Sequence, residues 1–167
     1  VLSKSMVDLT ELIIYIGKSF NAKARLNNIR INTIADKNVR LYTDRDKLSQ
    51  IIQNLVSNAI KAIGKNGTID LILREDEKEI QISVKDSGIG IKEEDIPRIF
   101  DRFYRVEDAR NTKDNGVGLG LAITKNFVLA LEGKIRVKSN LGFGSEFTVV
   151  FEKNNRMNND KKKDKYL

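Results

Sequence analysis

Between Asp44 and Gly64 the apolar residues Leu48, Ile51, Ile52, Leu55, Val56, Ala59, Ile60 and Ile63 recur with a period of 3.6. The spacing predicts a helix with one wide face to bury, stopped by Gly64. Beyond Gly64 the period changes. "GTIDLIL" and "EIQISVKD" alternate apolar and polar residues, and the charged link "REDEKE" makes them a hairpin. A helix stripe beside half-apolar strands calls for a layered domain in which the two apolar faces cover each other.

The rest of the chain supplies more of both kinds of element. In "MVDLTELIIYIGKSFNAKA" the residues Leu9, Leu12, Ile13, Ile16 and Phe20 stand at helical spacing, with Asp8 near the start. "NIRINTIA" and "NVRLYT" read as two short strands with a polar connection at 36–38. "KEEDIPRIFDRFYR" places acids first and bases last, with Pro97 early, as suits a short helix. "VEDARNTKDNG" carries no periodicity and reads as a mobile loop. "LGLAITKNFVLALEG" is helical up to Gly133, and "KIRVKS" and "SEFTVVF" are strands around the turn "NLGFG". No internal repeat is present. The sum is a mixed domain of mostly hairpin-connected strands with helices on one face.

Composition removes several classes of function. The 167 residues are one domain's worth, and 40% hydrophobic with 32% charged residues suits a globular chain. No apolar run approaches the roughly 18 residues of a membrane span. "LTELIIYIGKSF" is interrupted by Glu11 and reads as an amphipathic helix rather than a signal peptide. There is no cysteine, which removes disulfides, thiolate chemistry and thiolate metal sites. There is no histidine, so no imidazole base, ligand or phosphoacceptor belongs to this chain. The net charge is +7, but the segment 153–167 holds six Lys/Arg against two Asp, so four of the seven charges sit there. That tail reads as a solvated, unfolded end, and no nucleic-acid partner is implied.

Three features carry candidate chemistry. "DNGVGLGLAI", residues 114–123, packs Gly116, Gly118 and Gly120 ahead of a helix. A dinucleotide fingerprint would follow a buried strand, whereas polar "RNTKDN" precedes these glycines; a Walker loop needs Gly-Lys-Ser/Thr, which does not occur. What remains is bare backbone N–H beside the positive end of a helix, suited to phosphates, though a plain helix cap would have the same composition. "DSGIG" at 86–90 ends a strand with a carboxylate and two glycines. Asp86 can accept from an exocyclic amine while a flat ring lies on backbone; an ordinary turn has the same residues. On the central helix, Asn54 and Asn58 are four apart and Lys61 three further on, so all three share a face. An amide oxygen is a hard ligand for magnesium and a lysine supplies point charge to phosphates, although each alone is an ordinary polar surface residue.

In order along the chain, Asn58 in "NLVSNAIK", Asp86 in "DSGIG", "FDRFY" from Phe100 and "GVGLGL" from Gly116 resemble the four nucleotide-binding boxes of sensor histidine kinases. The likeness spans most of the chain: "TDRDKLSQIIQNLVSNAIKA" looks like that family's helix entry and "LGFGSEFTVVF" like its closing hairpin. It implies an α+β fold, the two-layer sandwich of gyrase, mismatch-repair and heat-shock ATPases, with a mixed, mostly antiparallel sheet covered on one face by helices. It implies a link over residues 1–7, a catalytic ATP-binding domain over 8–152 and a basic, disordered tail over 153–167.

By position, the resemblance implies that Asn58 binds the Mg2+ bridging the phosphates of ATP, with Asn54 and Lys61 at the phosphate end. Asp86 receives the adenine amine, and Gly88, Gly90 and Ile91 shape the pocket. Phe100 and Phe103 anchor a lid that runs from Tyr104 to Asn115. Gly116, Val117, Gly118, Leu119, Gly120 and Leu121 form its far hinge and meet phosphate, and Ser145 lies in the closing hairpin where threonine is commoner. Arg102 and Arg105 flank the lid; they either reach the γ-phosphate or the acceptor domain, or balance Glu107 and Asp108 at the surface. Ala62 stands where many relatives carry an aromatic residue against adenine, and Tyr104 is a candidate to compensate.

The function implied is transfer of the γ-phosphoryl group of ATP to a histidine, in two-component signalling. With no histidine here, the acceptor is expected on a dimerisation domain upstream of Val1, with a response regulator as the downstream partner. The expected setting is a cytoplasmic domain, monomeric alone, of a homodimeric protein whose anchoring to a membrane the residues leave open. A water-splitting ATPase is disfavoured because gyrase-like relatives carry a glutamate where Asn54 stands, and an amide is no base. A serine kinase of the anti-sigma type, an ATP-driven clamp of the gyrase type and a module that only binds a partner remain as alternatives.

Overall fold

The computed structural model describes residues 1–105 and 120–153 of the chain. Its elements run β1 (Lys4–Asp8), α1 (Leu9–Ser19), α2 (Asn21–Leu26), β2 (Ile29–Ala35), β3 (Arg40–Asp44), α3 (Arg45–Ile63), β4 (Gly67–Glu75) and β5 (Glu79–Asp86). After a short 3-10 turn at Ile96–Arg98 come α4 (Gly120–Ala130), β6 (Lys134–Asn140) and β7 (Gly144–Glu152). This is an α+β fold. A mixed five-stranded sheet has the order β2-β4-β5-β7-β6, and β1 and β3 form a separate antiparallel ribbon. Only β2 pairs in parallel, with β4; the other pairings in the five-stranded sheet are antiparallel.

The alternation seen in the sequence sorts the two sheet faces. Ile69, Leu71 and Leu73 of β4, Ile80, Ile82 and Val84 of β5, and Phe147, Val149 and Phe151 of β7 are buried and meet the stripe Leu48, Ile51, Ile52, Leu55, Val56, Ala59 and Ile60 of α3 in one core with Leu9, Leu12, Ile13 and Ile16 of α1. On the opposite face, register aligns Asn32, Asp70, Lys85, Glu146 and Lys138 in one row across all five strands. Charges of opposite sign sit side by side along that row, which favours this register over a slipped one. Among the described residues, no helix is long and apolar enough to cross a membrane.

Four local expectations are corrected. Met6 and Val7, at the head of the stretch read as helical, belong to β1, and the helix begins at Leu9 with Asp8, expected near its start, as its cap. The opening helix also breaks at Phe20 into α1 and α2; the Ser19 hydroxyl donates to the Ile16 carbonyl (2.8 Å), a local bond that competes with the helix ladder. The helix predicted over "KEEDIPRIFDRFYR" forms only as the 3-10 turn. Asp95, Arg98, Asp101 and Tyr104 each donate to the carbonyl three residues back, to Lys92, Asp95, Arg98 and Asp101. Pro97 has no N–H for a four-residue bond and its ring crowds the carbonyl before it, so the chain descends in successive tight turns. Finally, α4 ends at Ala130, and Glu132, not Gly133, takes the left-handed conformation (φ 63°). Gly133 is fixed instead by the Phe151 ring, 2.8 Å from where its Cβ would stand.

Candidate functional site

The site is built outward from the end of β5, the central strand. Asp86 is its last residue, register partner of Ile69 on one side and Ser145 on the other, and only 5% exposed. Beyond it the chain turns sharply. The Gly88 N–H donates to Asp86 Oδ1 (2.8 Å), the Ser87 N–H to the Thr68 carbonyl (3.1 Å), and the Ile89 N–H to the Ala62 carbonyl (3.2 Å). Burial pushes the Asp86 carboxyl above its ordinary range, opposed by the N–H groups of Gly88 and Ser145. The result is a desolvated acceptor held in one orientation by backbone.

The bond from Ile89 sets the turn on the end of α3. Asn54, Asn58 and Ala62 are spaced four apart, so they line one face, each about 6 Å from the next along the axis. Asn54 and Asn58 are half-buried and Lys61 is exposed. At the far end of this face the Asn54 Nδ2 lies 3.4 Å from the Thr124 Oγ1 in the first turns of α4. Residues 54–62, 86–91 and 120–124, remote in sequence, therefore meet around one helix face.

The turn between β6 and β7 closes a third side. The Ile91 N–H donates to Ser139 Oγ (2.8 Å), and the Ser139 hydroxyl donates to the Gly144 carbonyl (2.9 Å). With that proton committed, the 2.8 Å contact between the hydroxyls of Ser139 and Ser145 has Ser145 as donor. The Gly142 N–H bonds the Ile89 carbonyl (2.6 Å), and Gly90 is buried against the backbone of Asn140. Sequence reading missed Ser139 and Thr124. Both were signalled: Ser139 continues the inward series Ile135, Val137 of β6, and Thr124, fully buried, precedes Val128 by one turn.

Near residue 100 aromatic side chains are engaged. Phe100 meets Phe147 edge to face (centroids 6.4 Å apart), with Lys125 Nζ 5.5 Å from its own ring. The Tyr104 hydroxyl donates to Asp95, and Arg98 lies over its ring at 4.5 Å. Phe103 is 70% exposed at a φ of 65°. Arg102 is exposed, Arg105 and Leu121 are half-buried, and Gly120 opens α4. Glu107, Asp108, the segment to Asn115, and Gly116, Val117, Gly118 and Leu119 lie outside the described residues, as does the tail from 154.

Among the described residues no group of three His, Asp or Glu stands ready to hold a metal ion. The donors on the shared face are the neutral amides of Asn54 and Asn58. Such a set suits a cation that brings most of its oxygens with it, as magnesium does with phosphates and water. The buried Asp86 acceptor and the side-chain-free cradle at Gly88, where a Cβ would stand 2.7 Å from the Ala62 carbonyl carbon, suit a flat amine-bearing ring. A separate cavity of about 240 Å³ lies at the other end of β5, by Ile80 and Phe151, and contains none of these residues.

Comparison with known proteins gives a consistent picture. The family described as histidine kinase-, DNA gyrase B-, and HSP90-like ATPase matches residues 43–155. Sensor histidine kinase WalK of Bacillus subtilis is 42% identical over 122 residues, 72% of this chain and 20% of its own length. Among solved structures, the nucleotide-free catalytic domain of histidine kinase ThkA superimposes with a TM-score of 0.79 at 31% identity, covering 91% of this chain and 97% of that one. Full-length ShkA in complex with AMPPNP gives 0.77 at 27% identity, over 90% of this chain and 31% of that one. ThkA in complex with the response regulator TrrA gives 0.75 at 31%, over 92% and 42%. The chain thus spans about a fifth of the length of WalK.

Proposed function

The chain belongs to the family of histidine kinase-, DNA gyrase B- and HSP90-like ATPases, with sensor histidine kinases as its relatives, and from that premise we propose that it binds magnesium-ATP and transfers the γ-phosphoryl group to a histidine outside this chain. The observation that carries the reading is the bond from Ile89 to Ala62. It sets a buried carboxylate and an asparagine-bearing helix face side by side, the two halves a nucleotide needs. The ATP analogue bound to ShkA is consistent with it.

In this reading Asp86 accepts the adenine amine, and Gly88 and Gly90 keep side chains off the ring. Ile91 and Ser145 are held beside them through Ser139. Asn58 and Asn54 turn amide oxygens toward the phosphate end, and Lys61 adds a positive charge there. Magnesium, when bound with ATP, neutralises charge that develops on the phosphates. Phe100 packs on Phe147 and gives the segment after it a fixed base. Arg102 and Arg105 border the phosphate end. A neutral imidazole is already a nucleophile, so the chain needs no strong base, in keeping with an amide at Asn54. The acceptor is a histidine on a dimerisation domain, and a response regulator, as in the ThkA complex, takes the phosphoryl group onward.

The test has two stages. Isothermal titration with a non-hydrolysable ATP analogue and magnesium is expected to give saturable binding, lost in Asn58→Ala. Radiolabelled ATP with an added histidine-bearing dimerisation domain from a related kinase is expected to label that domain in an acid-labile, base-stable way. Absence of binding overturns the nucleotide reading, and label on serine overturns the choice of acceptor.

A further inference from the structure

We infer that Thr124 is a positioning residue that fixes which end of the Asn54 amide faces the phosphate end of the site; this rests on the nucleotide-binding reading above. Thr124 is fully buried in α4. Its hydroxyl has one proton, and that proton is donated to the Gly120 carbonyl, one turn back, at 2.8 Å. What the hydroxyl turns toward Asn54 is therefore a lone pair. The Asn54 Nδ2 lies 3.4 Å from it.

The two ends of an asparagine amide have nearly the same shape and opposite chemistry. With Nδ2 toward Thr124, the Oδ1 is the end of the amide left free for the helix face that Asn54 shares with Asn58. A flipped amide would set Oδ1 against the hydroxyl's lone pair, acceptor against acceptor, and would turn an N–H₂ group toward any cation on that face. The Thr124 hydroxyl thus makes Asn54 an oxygen donor. Valine at 124 has the same outline and imposes no such choice. Thr124 is not a catalytic residue, because it acts through Asn54.

The test uses the whole chain and an ATP analogue, titrated with magnesium and again with EDTA. Thr124→Val is expected to weaken binding about five- to tenfold with magnesium and to leave binding in EDTA unchanged. Thr124→Ser is expected to restore the magnesium effect, and Thr124→Val is expected to add nothing in an Asn54→Ala background. A second readout needs no nucleotide. The Asn54 side-chain amide resonances, identified by their loss in Asn54→Ala, are expected to move toward free-amide positions in Thr124→Val and not in Thr124→Ser. Equal weakening with magnesium and in EDTA would mean a general loosening of α4 and would overturn the inference, as would unmoved amide resonances. If the unaltered chain binds no analogue under either condition, the nucleotide reading falls and takes this inference with it.

Discussion

The backbone N–H of Ile89 donates to the carbonyl oxygen of Ala62 across 3.2 Å, joining the turn after β5 to the last turn of α3. The approach is possible only because Gly88 has no side chain. A Cβ there would stand 2.7 Å from the Ala62 carbonyl carbon and 2.8 Å from Asp86 Oδ1. Gly88→Ala therefore has to push the turn off the helix. Overpacking of this kind costs about 1–3 kcal/mol, and the same shift misplaces Asp86. We expect a lower melting temperature together with loss of ATP-analogue binding by titration; a variant that melts lower but binds normally would show that the turn's seat on α3 is irrelevant to the ligand.

A second close approach gives a controlled comparison. Gly144 has a φ of 91° and its Cβ would collide with the Asp86 backbone carbonyl, whereas Gly142, at a φ of 85°, has open space around it. Alanine at either position is strained by about 1–3 kcal/mol. At Gly144 the collision adds to the strain. Gly144→Ala is expected to be the more destabilising of the two in urea melts, and to weaken nucleotide binding where Gly142→Ala leaves it intact.

Where the sequence was legible, the reason is local. Helix α3 announces both its ends, Asp44 as cap and Gly64 as stop, and carries a stripe long enough to have one period. The hairpins β4–β5 and β6–β7 are read from alternation and short links. The illegible parts depend on distant partners. Strand β1 is five residues long and exists through pairing with β3, more than thirty residues away. The parallel pairing of β2 with β4 bridges across β3 and α3, and nothing in "NIRINTIA" names its partner. The boxes singled out Asn54, Asn58 and Asp86 because each is an unusual polar residue in a periodic element. Ser139 and Thr124 escaped because serine and threonine pass as surface residues until their neighbours are known.

Asp86 is the buried charge of the site, and its pKa is raised chiefly by burial. Proton counts set the sign. Just above the ordinary value of 3.8 the folded chain holds this proton and the unfolded chain does not, so stability falls as pH rises through the window between 3.8 and the raised value. Above that window the penalty is constant. Asp86→Asn removes it while keeping an oxygen for the Gly88 N–H. Melting temperatures measured from pH 3.5 to 7 are expected to fall less with rising pH in the variant than in the unaltered chain. ATP-analogue affinity at pH 7 is expected to drop about 10- to 100-fold, the range for losing a hydrogen bond to a charged acceptor.

Asp44 has the opposite sign, at the head of the helix that carries the asparagines. Its carboxylate accepts the Lys47 N–H at 3.1 Å, capping α3, and the Ser3 N–H at 2.8 Å, tying down the chain just before β1. These two bonds, Lys47 first, hold its pKa below 3.8. A depressed carboxyl contributes stability that is complete above the unfolded value of 3.8 and is lost as pH falls through the lower folded value. Asn caps helices as well as Asp but cannot ionise. The melting-temperature gap between the unaltered chain and Asp44→Asn is therefore expected to be widest near pH 6 and to close below pH 3.8. Asp44→Ala, which loses the cap itself, is expected to melt lower at every pH. A gap between the Asp and Asn forms that stays constant down to pH 3 would mean that the two N–H groups do not bind the charged carboxylate, and that α3 is held at its start by packing alone.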